Sequence, residues 1–335
     1  MSSPAITVLL PTIGRMDYLP TTRRSLAEQT RKDFRVIVLD NASGPEAQAF
    51  FADWAREDAR VEVRRVDPRI PMFSNFNRGM RAVETELVTF FHDDDVYRPD
   101  YLEVLAGELE RHPGAAFSGS NFDLVDEHGG VIEQRRWIAR TALFTGSRYM
   151  TELFRRGRNL VPMSGLVFRR SAFPAEGFDE SLPIHWGDFV LLMRAAENGG
   201  MIAVERCVIG IRMHSGQASQ QARSTSIPHR TEVLSKYLDE YAARHPADGA
   251  LVTSLRRRLA LTHRAGMVWA WLVADDDAER SACLERLGPS ELHPSRIDGA
   301  LRSALTWADR RGLRPARVGP RLIKAARGGA NLFRL

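Results

Sequence analysis

The chain has 335 residues, of which 44% are hydrophobic and 27% are charged, and its formal net charge at pH 7 is +5. This is the composition of a globular protein with one or two domains, and it excludes a disordered chain and a fibre. Its two cysteines, Cys207 and Cys283, are too few for a disulfide framework or a cysteine-rich zinc site.

Short apolar runs alternate with amphipathic segments in the first part of the chain. The runs predict strands at Ile6–Leu10, Phe34–Leu39, Val61–Val66 and Leu87–Phe91, and the intervening segments predict helices at Tyr18–Glu28, Pro45–Arg56 and Ser74–Val83. Asp17 is a candidate N-cap of the first helix. The alternation predicts an α/β fold with a mostly parallel, doubly wound sheet and helices on both faces. In such sheets, ligands bind beyond the carboxyl ends of the strands.

Polar clusters follow three of the predicted strands. They are "PTIGR" at residues 11–15, "DNASG" at residues 40–44 and the aspartates of "TFFHDDDVYRPD" at residues 93–95. Each cluster alone fits a turn. Three adjacent carboxylates, however, repel one another unless a cation or a hydrogen-bond network compensates them. Because all three clusters would converge on one crevice, a ligand site is the better interpretation.

The glycine-rich phosphate-binding motifs are missing from this sequence. No G-x-G-x-x-G follows the first strand and no G-x-x-x-x-G-K-[ST] occurs, which argues against dinucleotide oxidoreductases and P-loop enzymes. A phosphate ligand would then be neutralised in another way. A divalent metal held by carboxylates is the usual alternative, because Mg²⁺ and Mn²⁺ take oxygen ligands and share them with substrate phosphates.

Five motifs in sequential order resemble those of the family-2 glycosyltransferases with the GT-A fold. They read "ITVLLPTIGR", "VIVLDNAS", "FNRGMRAVETELVTFFHDDDVYRPDYL", "HWGDFVLLMRA" and "IRMHSGQAS", and they cover roughly residues 5–220. The resemblance implies a metal-dependent inverting enzyme that moves a sugar from a nucleoside-diphosphate sugar to an acceptor hydroxyl. It also implies a role in glycan, polysaccharide or glycoconjugate biosynthesis.

The resemblance further implies which residues bind the donor. Asp40 is expected to accept hydrogen bonds from the nucleobase, in a pocket framed by Pro11 and Thr12. A carboxylate only accepts hydrogen bonds, so UDP or dTDP is favoured and cytosine is disfavoured. The other expected donor contacts are Arg15, Asn77, Arg78, Gly79, Asp93 and Arg212. For Arg78, a surface position on an amphipathic helix is an equally good interpretation.

The aspartate triplet corresponds to the family's metal-binding D-x-D region. Asp94 is implied as the direct ligand of Mn²⁺ or Mg²⁺, Asp95 as an assisting ligand and His214 as the residue that completes the site. The register within the triplet is open by one residue. His92 stands where Asp is more frequent in the family. Its imidazole either tunes the choice of metal or only packs, and packing is favoured.

Asp188 is implied as the general base that deprotonates the acceptor. The family's common pattern is Glu-Asp, but Gly187 replaces the glutamate here. In an arbitrary protein, an acidic residue near a helix start would more often be an N-cap. Ser164, Gly165 and Trp186 are implied on the acceptor side. The acceptor is expected to be a hydroxyl-bearing glycan, a lipid-linked saccharide or a small molecule.

Beyond Pro228 the apolar residues recur at helical spacing. We therefore predict a catalytic domain at residues 1–228 and a helical C-terminal region at residues 229–335. The latter packs on the catalytic domain, shapes the acceptor site or forms a homodimer. Trp269 and Trp271 are expected in its core. The arginine-rich stretch 310–335 lacks acidic residues, which suits peripheral contact with anionic lipid or a solvated terminus.

The N-terminus reads neither as a signal peptide nor as a membrane span. A cytoplasmic location is therefore predicted, with peripheral contact at the inner membrane face left open. Two alternatives to the glycosyltransferase also stay open. One is a nucleotide-sugar binding relative without turnover, and the other is a different Mg²⁺-dependent nucleotidyl or phosphoryl transferase. Nucleic-acid binding is not expected, because no known nucleic-acid module accompanies the basic tail.

Overall fold

The computed structural model describes residues 4–156, 159–214, 216, 226–273, 277–286 and 303–307. The chain divides into two compact units. The first unit spans Met1–Met150 and Leu160–Ala218, and the second spans Thr151–Asn159 and Ser219–Leu335. The domain boundary predicted after residue 228 stays a prediction. The arginine-rich stretch 310–335 and the side chain of Trp269 lie outside the described residues.

A mixed β-sheet forms the centre of the first unit. Its described strands are β1 (Ile6–Thr12), β2 (Phe34–Asn41), β3 (Val61–Val66), β4 (Leu87–Phe90), β5 (Val96–Tyr97), β6 (Phe117–Val125), β7 (Val131–Arg135), β8 (Ala142–Phe144), β9 (Leu166–Arg169) and β10 (Met201–Arg212). The strand order is β3-β2-β1-β4-β9-β6-β10-β5, with β7 paired to β6 and β8 paired to β10.

The N-terminal half of the sheet is parallel, as predicted. Strand β1 pairs in parallel with β2 and β4, and β2 does so with β3. Strand β9 then runs antiparallel to both β4 and β6, whereas β10 is parallel to β6. The α/β fold with a mostly parallel central sheet is therefore confirmed, with one reversed strand in its middle.

Nine α-helices of at least nine residues accompany the strands within the described ranges. They are α1 (Leu19–Ala27), α2 (Pro45–Glu57), α3 (Met72–Met80), α4 (Tyr101–Arg111), α5 (Gly146–Arg156), α6 (Ile184–Glu197), α7 (Ser226–Arg244), α8 (Gly249–Val273) and α9 (Asp277–Arg286). Asp17 is not the N-cap of α1, because Tyr18 holds that position without a side-chain cap bond. None of the helices in the described ranges combines the length and apolarity needed to cross a bilayer.

The core of the first unit lies on both faces of the sheet. Ile6, Val8, Leu9 and Leu10 of β1 are fully buried, as are Ile37 and Val38 of β2. Strands buried on both faces read as continuous apolar runs, which is why these two could be recognised from the sequence.

An aromatic group supports the segment that follows β4. The rings of Phe91 and Tyr97 stack with centroids 3.6 Å apart, and Tyr101 meets both edge-on. The Tyr97 hydroxyl accepts a hydrogen bond of 2.7 Å from the main-chain N–H of His92. These contacts fix the backbone where the aspartate triplet begins.

The second unit contains the predicted helical segments. Met267, Trp271, Cys283 and Leu284 form a buried cluster in α8 and α9. Trp271 is only 3% exposed, so its predicted place in a helical core is confirmed. The Thr231 hydroxyl and His263 Nδ1 lie 2.8 Å apart and link α7 to α8.

Candidate active site

The first and third polar clusters meet at the carboxyl edge of the sheet. The Thr12 hydroxyl donates a hydrogen bond of 2.5 Å to Asp93 Oδ2, and Arg15 Nη1 lies 2.8 Å from Asp93 Oδ1. Strands β1 and β4 are parallel neighbours, so their carboxyl ends lie at the same edge. The convergence expected from the sequence is therefore present between "PTIGR" and the triplet.

Asp40 lies at the end of β2 and is only 1% exposed. Its Oδ1 accepts the main-chain N–H of Ser43 at 2.9 Å, and its Oδ2 is 2.7 Å from Arg65 Nη1. Asp40 thus stabilises the turn after β2 while Arg65 balances its charge. A carboxylate oxygen can accept more than one hydrogen bond, so both oxygens keep acceptor capacity. Arg65 could not be predicted from the sequence, because the pairing of β3 with β2 is what brings it beside Asp40.

Asp93 and Asp94 share Arg15 as a partner, whereas Asp95 has partners of its own. Asp94 Oδ2 lies 3.2 Å from Arg15 Nη1 and 3.0 Å from His214 Nε2. Asp95 accepts a hydrogen bond of 2.6 Å from the Ser164 hydroxyl and one of 3.0 Å from the main-chain N–H of Arg212. The triplet is therefore held by a dense hydrogen-bond network rather than exposed as an acidic turn.

Burial and mutual repulsion change the acidity of this group. The pKa of Asp95 is raised to about 8, first by burial and then by the negative charge of Asp94. The same two causes raise the pKa of Asp93, against the opposing effect of Arg15. A cation beside Asp94 and Asp95 would favour their ionised forms, because it offsets both desolvation and repulsion.

The donor set fits a divalent metal. Donor atoms of His92, Asp94 and Asp95 all lie within 4.8 Å of one another. His92 Nε2 is buried and has no hydrogen-bond partner among the described residues. Two carboxylates and an imidazole are ligands that first-row divalent ions accept. These three residues are brought together, and the predicted ligand His214 also contacts Asp94, with its Nε2 3.0 Å from Asp94 Oδ2.

His214 and Arg212 support the triplet from one side. The His214 ring hydrogen-bonds to Asp94 and lies 5.1 Å from the Tyr18 ring. Arg212 Nε donates a hydrogen bond of 2.7 Å to the main-chain carbonyl of Asp94, and Nη1 donates to the carbonyls of Asp126 and Glu127. These bonds hold the Arg212 guanidinium beside the main chain of Asp94, Asp126 and Glu127, and its predicted contact with the donor stays a prediction.

Asn77 and Gly79 of α3, which are predicted donor contacts, also make contacts that stabilise the fold. The Asn77 amide exchanges hydrogen bonds of 2.8 and 2.9 Å with the main chain of Phe178 and also donates to Glu180 at 2.9 Å. A Cβ added at Gly79 would lie 2.4 Å from Leu39 Cδ1. Asn77 therefore holds the loop at Phe178 and Glu180 by hydrogen bonds, and the absence of a side chain at Gly79 lets α3 approach the sheet.

Arg78 is partly buried beside the second cluster. It donates a hydrogen bond of 2.7 Å to Asn75 Oδ1 and one of 3.0 Å to the main-chain carbonyl of Arg64. Burial lowers its pKa from the usual value, and the charge of Arg64 adds to the effect while that of Asp40 opposes it. Arg78 is thus a half-buried residue of α3 with two hydrogen-bond partners, and neither the donor contact nor the position on an amphipathic helix is excluded.

Asp188 is the fifth residue of α6, whose N-cap is Pro183, so the N-cap interpretation is wrong. Burial raises the pKa of the Asp188 carboxyl to about 6, and an electrostatic interaction with His92 opposes the increase. The buried Tyr149 hydroxyl has no hydrogen-bond partner among the described residues, and the charge of Asp188 contributes to its raised pKa. A carboxylate with this pKa is suited to accept a proton near neutral pH.

The predicted acceptor-side residues do not line an open surface. Ser164 is 1% exposed and donates its hydroxyl hydrogen to Asp95, and Trp186 is 3% exposed against Phe189. Gly165 is buried as well. Ser164 thus stabilises the triplet through its hydrogen bond to Asp95, whereas Trp186 packs in the core.

Comparison with known proteins identifies the family. Residues 7–173 match the family model described as glycosyl transferase family 2. The uncharacterized glycosyltransferase alr2836 of Nostoc sp. is 20% identical over 71% of this chain and 76% of its own length. The GalNAc(5)-diNAcBac-PP-undecaprenol beta-1,3-glucosyltransferase of Campylobacter jejuni is 28% identical over 32% of each chain. The matches to the first three curated relatives span only 34%, 30% and 52% of their lengths.

Solved structures show the same fold at low sequence identity. TarS 1–349 of S. aureus in complex with UDP-GlcNAc has a TM-score of 0.67 and 16% identity, covering 91% of this chain and 87% of that one. The mannosyltransferase PcManGT of Pyrobaculum calidifontis, in complex with GDP-Man and Mn²⁺, has a TM-score of 0.56 and 14% identity, covering 99% and 86%. The family match and the shared architecture identify this chain as a member of glycosyl transferase family 2 with the GT-A fold.

Proposed function

We propose that this protein is a metal-dependent inverting glycosyltransferase that uses a nucleoside-diphosphate sugar, with UDP or dTDP favoured. One observation carries the proposal. The polar ends of β1 and β4 are in direct contact, through Thr12, Arg15 and Asp93, in a chain that belongs to glycosyl transferase family 2. This is the edge of the sheet at which α/β proteins bind their ligands.

The buried Asp40 supports the choice of nucleobase. Its oxygens are held by Ser43 and Arg65 and retain acceptor capacity. Uracil and thymine present a ring N–H that a carboxylate can accept, whereas cytosine presents an acceptor at the same place. Pro11 and Thr12 complete this pocket in the proposal, and Arg78 lies close enough for its charge to interact with that of Asp40.

Asp94 and Asp95, with His92 beside them, would hold Mn²⁺ or Mg²⁺. A metal bound there supplies Lewis-acid stabilisation of the charge that develops on the departing diphosphate. Arg15 contacts both Asp93 and Asp94 and is the side-chain cation nearest to that charge in the proposal. His214 orients Asp94 through its hydrogen bond.

Asp188 is the proposed general base. It takes the proton of the acceptor hydroxyl while that oxygen forms a bond to the anomeric carbon. The bond from the anomeric carbon to the diphosphate oxygen breaks at the same time, and its electron pair leaves with the nucleoside diphosphate. Because the attack comes from the face opposite the leaving group, the configuration at the anomeric carbon inverts. The pKa of about 6 leaves Asp188 ionised and ready to accept the proton at neutral pH.

The acceptor in this proposal is a hydroxyl-bearing saccharide. Support comes from the name of the Campylobacter jejuni relative, a glucosyltransferase of an undecaprenol-linked glycan. Because that match covers only 32% of this chain, it does not restrict the acceptor to one form of saccharide. The proposal therefore includes free, lipid-linked and polymeric saccharides as one chemical class.

The test is a product assay on the full chain with UDP-, dTDP- and GDP-sugars, Mn²⁺ and a panel of saccharide acceptors. The expected products are a nucleoside diphosphate and a new glycoside, whose anomeric configuration by NMR is opposite to that of the donor. Asp94→Ala should abolish transfer, while Glu176→Gln, at an exposed position, serves as the matched control. Release of pyrophosphate or transfer of a nucleotidyl group would instead identify a nucleotidyltransferase. Donor binding without any product would identify a binding protein.

A further inference from the structure

We propose that His92 is a direct ligand of the metal and that its imidazole makes the site select Mn²⁺ over Mg²⁺. The inference rests on the metal dependence in the proposed function, and it assigns a role to the position where this chain departs from its family. Packing was the favoured interpretation of His92 from the sequence. The structure gives three reasons to replace it.

The main chain of His92 is rigidly held. Its N–H donates to the Tyr97 hydroxyl at 2.7 Å, and the Tyr97 ring stacks on Phe91. Both aromatic side chains are at most 3% exposed. A metal ligand needs such a fixed backbone, because a ligand that must be ordered on binding loses affinity to conformational entropy.

Neither ring nitrogen of His92 has a hydrogen-bond partner within the part of the chain that the structure describes, and the side chain as a whole is 33% exposed. Nε2 is buried and lacks a hydrogen-bond partner among the described residues. Nδ1 is 3.9 Å from Asp95 Oδ2, which is beyond hydrogen-bond distance. A histidine with only a packing role would leave this buried polar atom unpaired, and such atoms are rare because they are costly. A bound cation would use a ring nitrogen as its ligand.

The spacing of the donors suits one ion. Two ligands that each lie about 2.1 Å from a metal stand about 3 to 4 Å apart, depending on the angle between them. The donor atoms of His92, Asp94 and Asp95 fall within 4.8 Å of one another, so only small side-chain shifts are required. His214 Nε2 lies 3.0 Å from Asp94 Oδ2 and is therefore the other imidazole from which the test must distinguish His92.

The chemistry of the donor set then determines the selectivity. Mg²⁺ strongly prefers oxygen ligands and retains water, whereas Mn²⁺ and the later first-row ions accept imidazole nitrogen. Replacing a family carboxylate by His92 removes one negative charge and one oxygen ligand. The site should therefore lose more affinity for Mg²⁺ than for Mn²⁺.

The experiment measures metal binding on the full chain without any sugar donor. Mn²⁺ affinity is determined by EPR of the free ion and Mg²⁺ affinity by competition, for wild type, His92→Phe, His92→Asp and the control His112→Phe. Wild type and the control should bind Mn²⁺ at least about tenfold tighter than Mg²⁺. His92→Phe keeps an aromatic ring but should lose Mn²⁺ affinity, and His92→Asp should shift the preference towards Mg²⁺.

Electron spin echo envelope modulation identifies the ligand directly. Wild type with Mn²⁺ should show a nitrogen coupling that is absent in His92→Asp and retained in His214→Phe. A coupling that survives in His92→Asp but disappears in His214→Phe would overturn the proposal, as would equal Mn²⁺ and Mg²⁺ affinities in wild type. Absence of Mn²⁺ binding in a folded protein that still transfers sugar would also overturn it while leaving glycosyl transfer intact.

Discussion

Asp188 lies in α6 with a pKa raised to about 6 because burial disfavours its charge. If it is the base, Asp188→Asn should lower turnover by about 10² to 10⁴-fold, the usual contribution of general-base catalysis. Donor affinity should change little, because the acceptor hydroxyl is what Asp188 contacts in the proposal. Initial rates and donor titrations check both parts, with Glu176→Gln as the control. Near-normal turnover of Asp188→Asn would remove this residue from the mechanism.

The pH dependence of turnover should follow the same carboxyl group. A base acts in its ionised form, so kcat/KM should fall as pH decreases through about 6 and approach a tenfold loss per pH unit below that. The residual activity of Asp188→Asn should not show this decrease at low pH. A decrease that persists unchanged in the variant would assign the titration to another group. Rates at saturating metal between pH 4.5 and 8.5 provide the measurement.

The ionised carboxylate of Asp188 should also lower the free energy of unfolding at neutral pH. Its pKa is higher in the folded state, about 6, than its ordinary value of 3.8. The folded state therefore binds the proton more tightly, and stability decreases as pH rises from 3.8 to 6. Above that window the cost is constant, at about 2 to 3 kcal/mol. Denaturant unfolding should show Asp188→Asn to be more stable than wild type by this amount at pH 8. The two proteins should be equal near pH 3.5, and a difference independent of pH would contradict the account.

Individual site residues differed in how well the sequence predicted them. The contact of Thr12 and Arg15 with the triplet follows from parallel strands ending at one edge. The bond of Asn77 to Phe178 could not be foreseen, because it joins positions 101 residues apart. The burial of Ser164 and Trp186 could not be foreseen for a related reason, since a motif gives the neighbourhood of a side chain but not the direction in which the fold buries it.

At the scale of elements, the start of α6 packs closely against α3 at Gly187. A Cβ added at Gly187 would lie 2.2 Å from the Phe73 ring, and that ring stacks on Phe178 with centroids 4.9 Å apart. A side chain at position 187 would push α6 away from α3.

Gly187→Ala should therefore destabilise the protein by about 1 to 3 kcal/mol, the usual cost of overpacking a core. Gly114→Ala is the matched control, because a Cβ added at Gly114 meets nothing within 4 Å. Denaturant midpoints of the two variants give the comparison. Equal stability of the two would mean that Phe73 moves freely and that packing does not fix glycine at this position.

The boundaries of the first three strands were predicted to within two residues. Strand β3 matches its predicted range, and β1 and β2 are each two residues longer than predicted. Those extra residues are Pro11, Thr12, Asp40 and Asn41, which look like turn residues yet continue the ladder because β1 and β2 pair to their ends. Strand β9 was missed because its antiparallel pairing with β4 and β6 depends on partners that are distant in sequence.

For the whole molecule, the sequence predicted the fold because motif order and strand alternation are global properties of the chain. For the nitrogen donor near the metal, the sequence predicted His214 and favoured packing for His92, because the resemblance places a histidine near the metal site at the position of His214. Only the three-dimensional arrangement shows that His214 pairs with Asp94 while His92 Nε2 has no partner among the described residues.

The most direct test of the central claim uses the stability of the folded chain. Thermal unfolding is measured with UDP, dTDP, GDP and CMP, each with Mn²⁺ and with EDTA, for wild type and Asp94→Ala. A ligand at about 100 times its Kd adds about 2.7 kcal/mol of stability. The account predicts stabilisation by UDP or dTDP that requires Mn²⁺ and disappears in Asp94→Ala. A folded wild-type protein that no nucleotide stabilises would contradict a metal-dependent nucleotide-sugar site at the carboxyl edge of the sheet.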